Sequence, residues 1–144
     1  SSVSVKNRAG KTKNMKRYRD IIMKWRNQAT LVLLANESQD KVHYAMPHKV
    51  MLYDGMDYET QIRNNWKNFN DRRKQNKKAG QPLEHLTAGE YLSRFRKKDR
   101  LIPIISLVFY YGSEPWDGPV DLYDMFRLEG TKEEKEILEK YLPN

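Results

Sequence analysis

Thr30-Leu31-Val32-Leu33-Leu34-Ala35 runs four apolar residues together without the apolar–polar alternation of a half-exposed strand. It therefore predicts a strand buried on both faces, as a central strand beneath helices is. Another strand is predicted just upstream, at Tyr18-Arg19-Asp20-Ile21-Ile22-Met23, beyond the polar Arg26-Asn27-Gln28. The Ser-, Lys-, Asn- and Gly-rich start reads as a hairpin turning at Ala9-Gly10, or as a flexible basic segment over residues 1–14. Downstream, a long helix is predicted from Met46-Pro47, where proline suits the first turn. Val50, Tyr53, Asp54, Asp57, Ile62, Trp66 and Phe69 fall at roughly helical spacing along it, and its basic end is expected to fray into the loop Asn76–Pro82.

Thr87-Ala88-Gly89-Glu90 is a capping box for a second helix, with Leu86 and Tyr91 placed as a hydrophobic staple. Leu101–Tyr111 is β-branched and aromatic, with Pro103 tolerable near its start. It looks too apolar for a sheet edge and is predicted to pair beside the central strand. A loop around Trp116 and a closing helix over Glu133–Tyr141 complete the chain. The order of elements predicts an α/β fold, a small mixed sheet flanked by helices, one of them long and basic.

The 144 residues suffice for one ordinary domain and one core. With no cysteine, neither a disulfide framework nor a thiolate zinc site is available, and a reducing, cytoplasmic setting is expected. The longest apolar stretch, Leu101–Tyr111, is far short of the roughly 20 residues of a membrane helix, so no membrane partner is expected. The net charge of +8 is unevenly spread. Residues 1–28 hold nine Lys or Arg against Asp20 alone, residues 61–80 hold seven against Asp71, and Arg94–Arg100 holds five against Asp99. The end of the chain is acidic. Such polarity is the footprint of a nucleic-acid binder, although solvated tails and helix faces produce it too.

Asp20 and the pair Glu37 and Gln39 sit on or beside two neighbouring predicted strands. Two apart on an extended chain, Glu37 and Gln39 point to the same side, with the Ser38 carbonyl between them. Two carboxylates and a carbonyl suit Mg²⁺ or Mn²⁺, hard cations that keep several waters. Such a metal polarises a phosphoryl oxygen and acidifies a bound water, which Gln39 could orient.

Three blocks surround these residues: Arg17-Tyr18-Arg19-Asp20, Leu31 to Gln39, and His43-Tyr44-Ala45-Met46-Pro47-His48-Lys49-Val50-Met51-Leu52-Tyr53-Asp54. Together with Leu101-Ile102-Pro103-Ile104-Ile105, Val108-Phe109-Tyr110-Tyr111-Gly112 and Trp116-Asp117-Gly118-Pro119, they resemble the Rpn-type family of recombination-promoting nucleases and transposases, over about residues 16–126. That family belongs to the PD-(D/E)XK nuclease superfamily. The resemblance implies a restriction-endonuclease-like core and a Mg²⁺-dependent DNA endonuclease. Asp20, Glu37 and the Ser38 carbonyl would hold the metal, and Asp20, Glu37 and Gln39 would act in catalysis, Gln39 replacing the superfamily's lysine. Lys49 stands where the family commonly has arginine, which keeps the charge but loses the bidentate fork. Relatives generally carry an earlier helix that packs on the sheet, so the chain is expected to be one nuclease-like domain lacking that helix.

Arg17, Arg19, His43, Lys49, Arg72, Arg73 and Lys74 are the candidate DNA contacts. Each has a plainer role. Lys67–Lys78 is by default a solvated helix face. His43 and His48 are five apart and do not form a zinc pair on one helical face. Trp66, Phe69, Tyr110 and Tyr111 read first as packing residues, and the arginine and histidine pattern around a recombinase tyrosine is missing. The rival to the nuclease is a DNA-binding module derived from one, with its acids as relics. A protein interaction domain is a third class. The sequence leaves the oligomeric state open, a dimer included.

Overall fold

The computed structural model describes residues 2–6, 12–16, 21–25, 29–34 and 41–142, and the fold is mixed α/β. The chain divides into two compact units, residues 1–47 with 104–144, and residues 48–103 inserted between them.

The first unit begins with an antiparallel hairpin, β1 (Ser2–Lys6) and β2 (Thr12–Lys16), paired from Ser2↔Lys16 to Lys6↔Thr12. A second antiparallel hairpin joins β3 (Ile21–Trp25) to β4 (Ala29–Leu34), and β5 (Ile104–Val108) then pairs parallel to β4. The order β3-β4-β5 makes β4 the middle strand, as its unbroken apolar run predicts. At its centre Val32, opposite Ile22 and Ser106, is fully buried, worth about 1.5 kcal/mol or more relative to exposure.

β5 pairs beside the central strand as expected, but it closes one end of that order rather than lying inside it. Ile105 and Leu107 remain 51% and 49% exposed. Apolar composition records what a segment would gain by burial, not whether another layer lies over it.

After β5, Tyr110 meets Trp116 edge-on at 5.2 Å, and the Trp116 indole donates to the Gly118 carbonyl at 2.8 Å. A single 3-10 turn, Tyr123–Met125, precedes α3 (Lys132–Tyr141). A capping box of Thr131 and Glu134 starts α3.

In the inserted unit, nearly all of α1 (Met46–Lys78) forms the spine, with Pro47 in the first turn of the helix as predicted. The helix does not fray at its basic end. It runs to Lys78 and closes in a Schellman motif, Gln81 N donating to Asn76 O at 2.9 Å and Gly80 N to Lys77 O at 3.3 Å. Gly80, at φ +69°, supplies the left-handed residue the motif requires, and Pro82 follows. Composition alone made this segment look like loop, whereas Ala79-Gly80 with a later proline is a stop signal.

The returning chain is fixed to α1 by Gln61, whose amide donates to the Ile102 carbonyl at 2.9 Å and accepts from the Ile102 N–H at 2.7 Å. Between them lies α2 (Ala88–Ser93), started by the predicted Thr87–Glu90 capping box. Trp66 packs against Phe69 at 5.5 Å and Tyr91 at 6.0 Å, so the helix aromatics are packing residues. Among the described residues, no helix is long and apolar enough to cross a membrane.

Candidate functional site

β3 begins one residue after Asp20, and β4 ends three residues before Glu37. Because Ile21 pairs with Leu33, the start of β3 and the end of β4 lie at the same end of the sheet. β5 runs parallel to β4, with Leu34 opposite Val108, so its carboxyl end lies there too. Arg17, Arg19, Asp20, Glu37, Ser38 and Gln39 themselves lie outside the described residues. Among the described residues, no three His, Asp or Glu side chains gather as a metal site.

His43 is half-buried, and its Nδ1 accepts from the Ala45 N–H at 3.3 Å, a turn preceding α1. Lys49, in the first turns of α1, is half-buried with its ammonium 6.0 Å from the centroid of the Tyr53 ring, and burial pulls its pKa below the ordinary lysine value. His43 belongs to the first unit and Lys49 to the second.

Arg72, Arg73 and Lys74 share the C-terminal part of α1, but the structure separates their roles. Arg72 and Arg73 line a cleft of about 160 Å³ together with Phe69, Asn76, Leu83, Glu84, Arg96 and Lys98. Lys74 is exposed and does not line it. The cleft has four cations and one carboxylate.

Its floor is a buried ion pair that the sequence hides. Arg96 and Asp99 are 8% and 7% exposed although they belong to a block of five bases. The Arg96 Nη2 donates to Asp99 Oδ1 at 2.6 Å, and Nε donates to both carboxylate oxygens at 3.0 and 3.2 Å. The Asp99 carboxylate also accepts from the Arg96 N–H at 2.9 Å, and the guanidinium carbon lies 4.4 Å from the centroid of the Phe69 ring. Arg96 hydrogen bonding holds the Asp99 carboxyl below the ordinary range, and Asp99 raises the arginine in turn. At the rim, Glu84 takes the Lys98 ammonium at 2.7 Å and the Arg96 Nη1 at 3.5 Å. Asp99, three residues from Arg96 and flanked by bases, was the available signal, since an isolated acid in a basic block invites pairing.

In the first unit, an open depression of about 500 Å³ is lined by Tyr44, Asp117, Gly118, Pro119, Asp124 and Met125. The Tyr44 hydroxyl donates to both Asp117 oxygens at 3.0 and 3.2 Å, and this contact raises the tyrosine pKa. Asp124 accepts from the Val120 N–H at 2.9 Å, so it serves a turn. A Cβ at Gly118 would stand 2.9 Å from Val42 Cγ1, which makes the glycine a condition of this loop's close approach.

Compared with known proteins, the chain matches no family model, no curated protein and no solved structure.

Proposed function

We propose that the chain is a cytoplasmic, metal-dependent DNA endonuclease domain of the restriction-endonuclease-like kind, serving a mobile element or recombination. One observation carries this reading: an antiparallel hairpin, β3–β4, is followed through α1 by β5 parallel to β4, with the Asp20 and Glu37 ends of the hairpin at the carboxyl ends of β4 and β5. In an open α/β sheet, ligands bind outside the carboxyl ends of the parallel strands.

Mg²⁺ or Mn²⁺ suits the donors that the sequence supplies next to those strands, the Asp20 and Glu37 carboxylates and the Ser38 carbonyl, since all are hard oxygens. When bound, the metal would supply Lewis acidity to a phosphoryl oxygen and to a bound water. Gln39 orients the attacking water by hydrogen bonding. Being neutral, it adds no charge to stabilise the phosphorane, so the chemistry is slow. Arg17, Arg19 and His43 in the first unit, and Lys49 in the insert, are the basic side chains proposed to meet phosphates. A binding module without catalysis is the second reading, favoured by the basic cleft beside α1.

Mg²⁺ titration and plasmid cleavage, measured on the same protein, test the site. Glu37→Ala is expected to abolish both metal binding and cleavage. Gln39→Ala is expected to leave metal affinity within a few fold and slow cleavage by roughly tenfold to a hundredfold. Saturable metal binding without cleavage would favour the second reading. Equal cleavage by the parent chain and both variants would place the site elsewhere.

A further inference from the structure

We propose that the cleft beside the C-terminal third of α1 seats a backbone phosphate of nucleic acid, gripped by Arg72 and Arg73 and completed by Arg96. The proposal rests on the reading that nucleic acid is the ligand, but not on catalysis. At about 160 Å³, the cleft has the volume of about five waters, the scale of one hydrated phosphate.

The cations around it are not equivalent. The Lys98 charge is matched by Glu84 at 2.7 Å. Among the described residues, neither Arg72 nor Arg73 forms an ion pair, and both turn toward the cleft from one side of α1. Arg96 has five N–H donors, of which Nε and one on Nη2 serve Asp99 and one on Nη1 reaches Glu84 at the limiting 3.5 Å. The remaining two are held still by the carboxylate beneath and the Phe69 ring. A fixed guanidinium loses little entropy on binding, and arginine forks match phosphate oxygens bidentately.

The ligand is a polyanion rather than a single anion, because the insert as a whole holds thirteen Lys or Arg against seven Asp or Glu. Lys67, Lys74, Lys77 and Lys78 are all exposed. At about 100° per residue Lys67, Lys74 and Lys78 fall on the face of α1 opposite Phe69, Arg72, Arg73 and Asn76, so they add to the attracting field rather than to the cleft. Lys77 and Lys78 also offset the negative end of the helix dipole, which would otherwise repel phosphate there.

The test is fluorescence anisotropy of the full chain with a short DNA duplex in EDTA, so that metal chemistry plays no part. Arg72→Ala with Arg73→Ala is expected to weaken binding roughly tenfold and to reduce the slope of log affinity against log salt by about one. The charge-keeping pair Arg72→Lys with Arg73→Lys is expected to weaken binding severalfold. Lys132→Ala with Lys135→Ala, on α3, is the control and leaves affinity unchanged. Inorganic phosphate is expected to compete with duplex for the parent chain and not for the alanine pair.

If the lysine pair binds duplex as tightly as the parent, the attraction is diffuse and no phosphate is seated in the cleft. If phosphate binds but duplex does not, the site is for a free anion. If vesicles rich in phosphatidylserine bind and duplex does not, the partner is a membrane surface. Either of those last two results also defeats the nucleic-acid reading, whereas the first defeats only the cleft.

Discussion

The two units share a chain but are held together by different physics. The inserted unit, residues 48–103, has thirteen Lys or Arg against seven Asp or Glu, whereas the rest of the chain has fourteen against twelve. Most of the net charge therefore belongs to the insert. The insert keeps one opposite pair, Arg96 and Asp99, inside and nearly dry. The first unit places Val32 at the centre of a sheet while leaving Ile105, Leu107 and Phe109 about half exposed. The insert buries charge, and both units expose apolar side chains, Leu92 of the insert at 88%, so neither follows the simple rule that hydropathy sorts residues inside and out.

The strongest challenge to this contrast is Asp99→Ala. Stranding the Arg96 guanidinium without its carboxylate is expected to cost on the order of 3 kcal/mol in urea unfolding. Arg96→Met with Asp99→Leu removes both charges and should recover most of that loss, because a matched apolar pair escapes desolvation. If the double variant is as unstable as the single one, the ion pair is a net source of cohesion rather than a satisfied burden.

Gly80→Ala is expected to have a smaller effect, about 1 kcal/mol, because the Schellman motif needs a left-handed residue that alanine adopts poorly. The measurement is the thermal midpoint of the full chain. An unchanged midpoint would mean that α1 gains nothing from its stop signal.

The smallest expected effect is a slope with pH. Asp99 is held low chiefly by Arg96 hydrogen bonding, and Glu90 chiefly by the Thr87 N–H. Both carboxylates take up protons more readily when unfolded. Their contribution is therefore complete above the unfolded values, near pH 4, and is lost as pH falls through the lower folded values. Urea midpoints measured from pH 6 to pH 3 should decline at the acid end, and Asp99→Asn should decline less steeply. A profile as steep in Asp99→Asn as in the parent would assign the acid sensitivity to other carboxylates.

The legible parts of the fold were those governed by local rules. Leu31–Leu34 announced the middle strand because a run without alternation has no solvent face, and Thr87 with Glu90 announced α2 because a capping box is a contact within four residues. The Thr131–Glu134 box carries the same signal and sets the start of α3 at Lys132, one residue before the Glu133 expected from composition. Non-local matters were not legible. Leu101–Tyr111 does not say what lies above β5, and Arg96 does not say that it turns inward. The Tyr44–Asp117 hydrogen bond joins residues 73 apart, a distance over which no spacing rule operates. Of the candidate site, Asp20 and Glu37 lie outside the described residues, and the cleft is lined by Arg72 and Arg73 but not by Lys74.

The Gln61 clamp on Ile102 bears on the order of folding. Parallel pairing of β4 with β5 must close a loop of about seventy residues, and the entropy of that closure opposes it before any strand contact rewards it. If the insert folds first, Gln61 already holds the chain two residues short of β5, and the flexible stretch left to close is the one between Leu34 and the start of α1 at Met46. Shortening the open chain in this way lowers the closure entropy by on the order of 1 kcal/mol. On that order of events, an amide in the insert shortens the loop that a sheet in the other unit has to close.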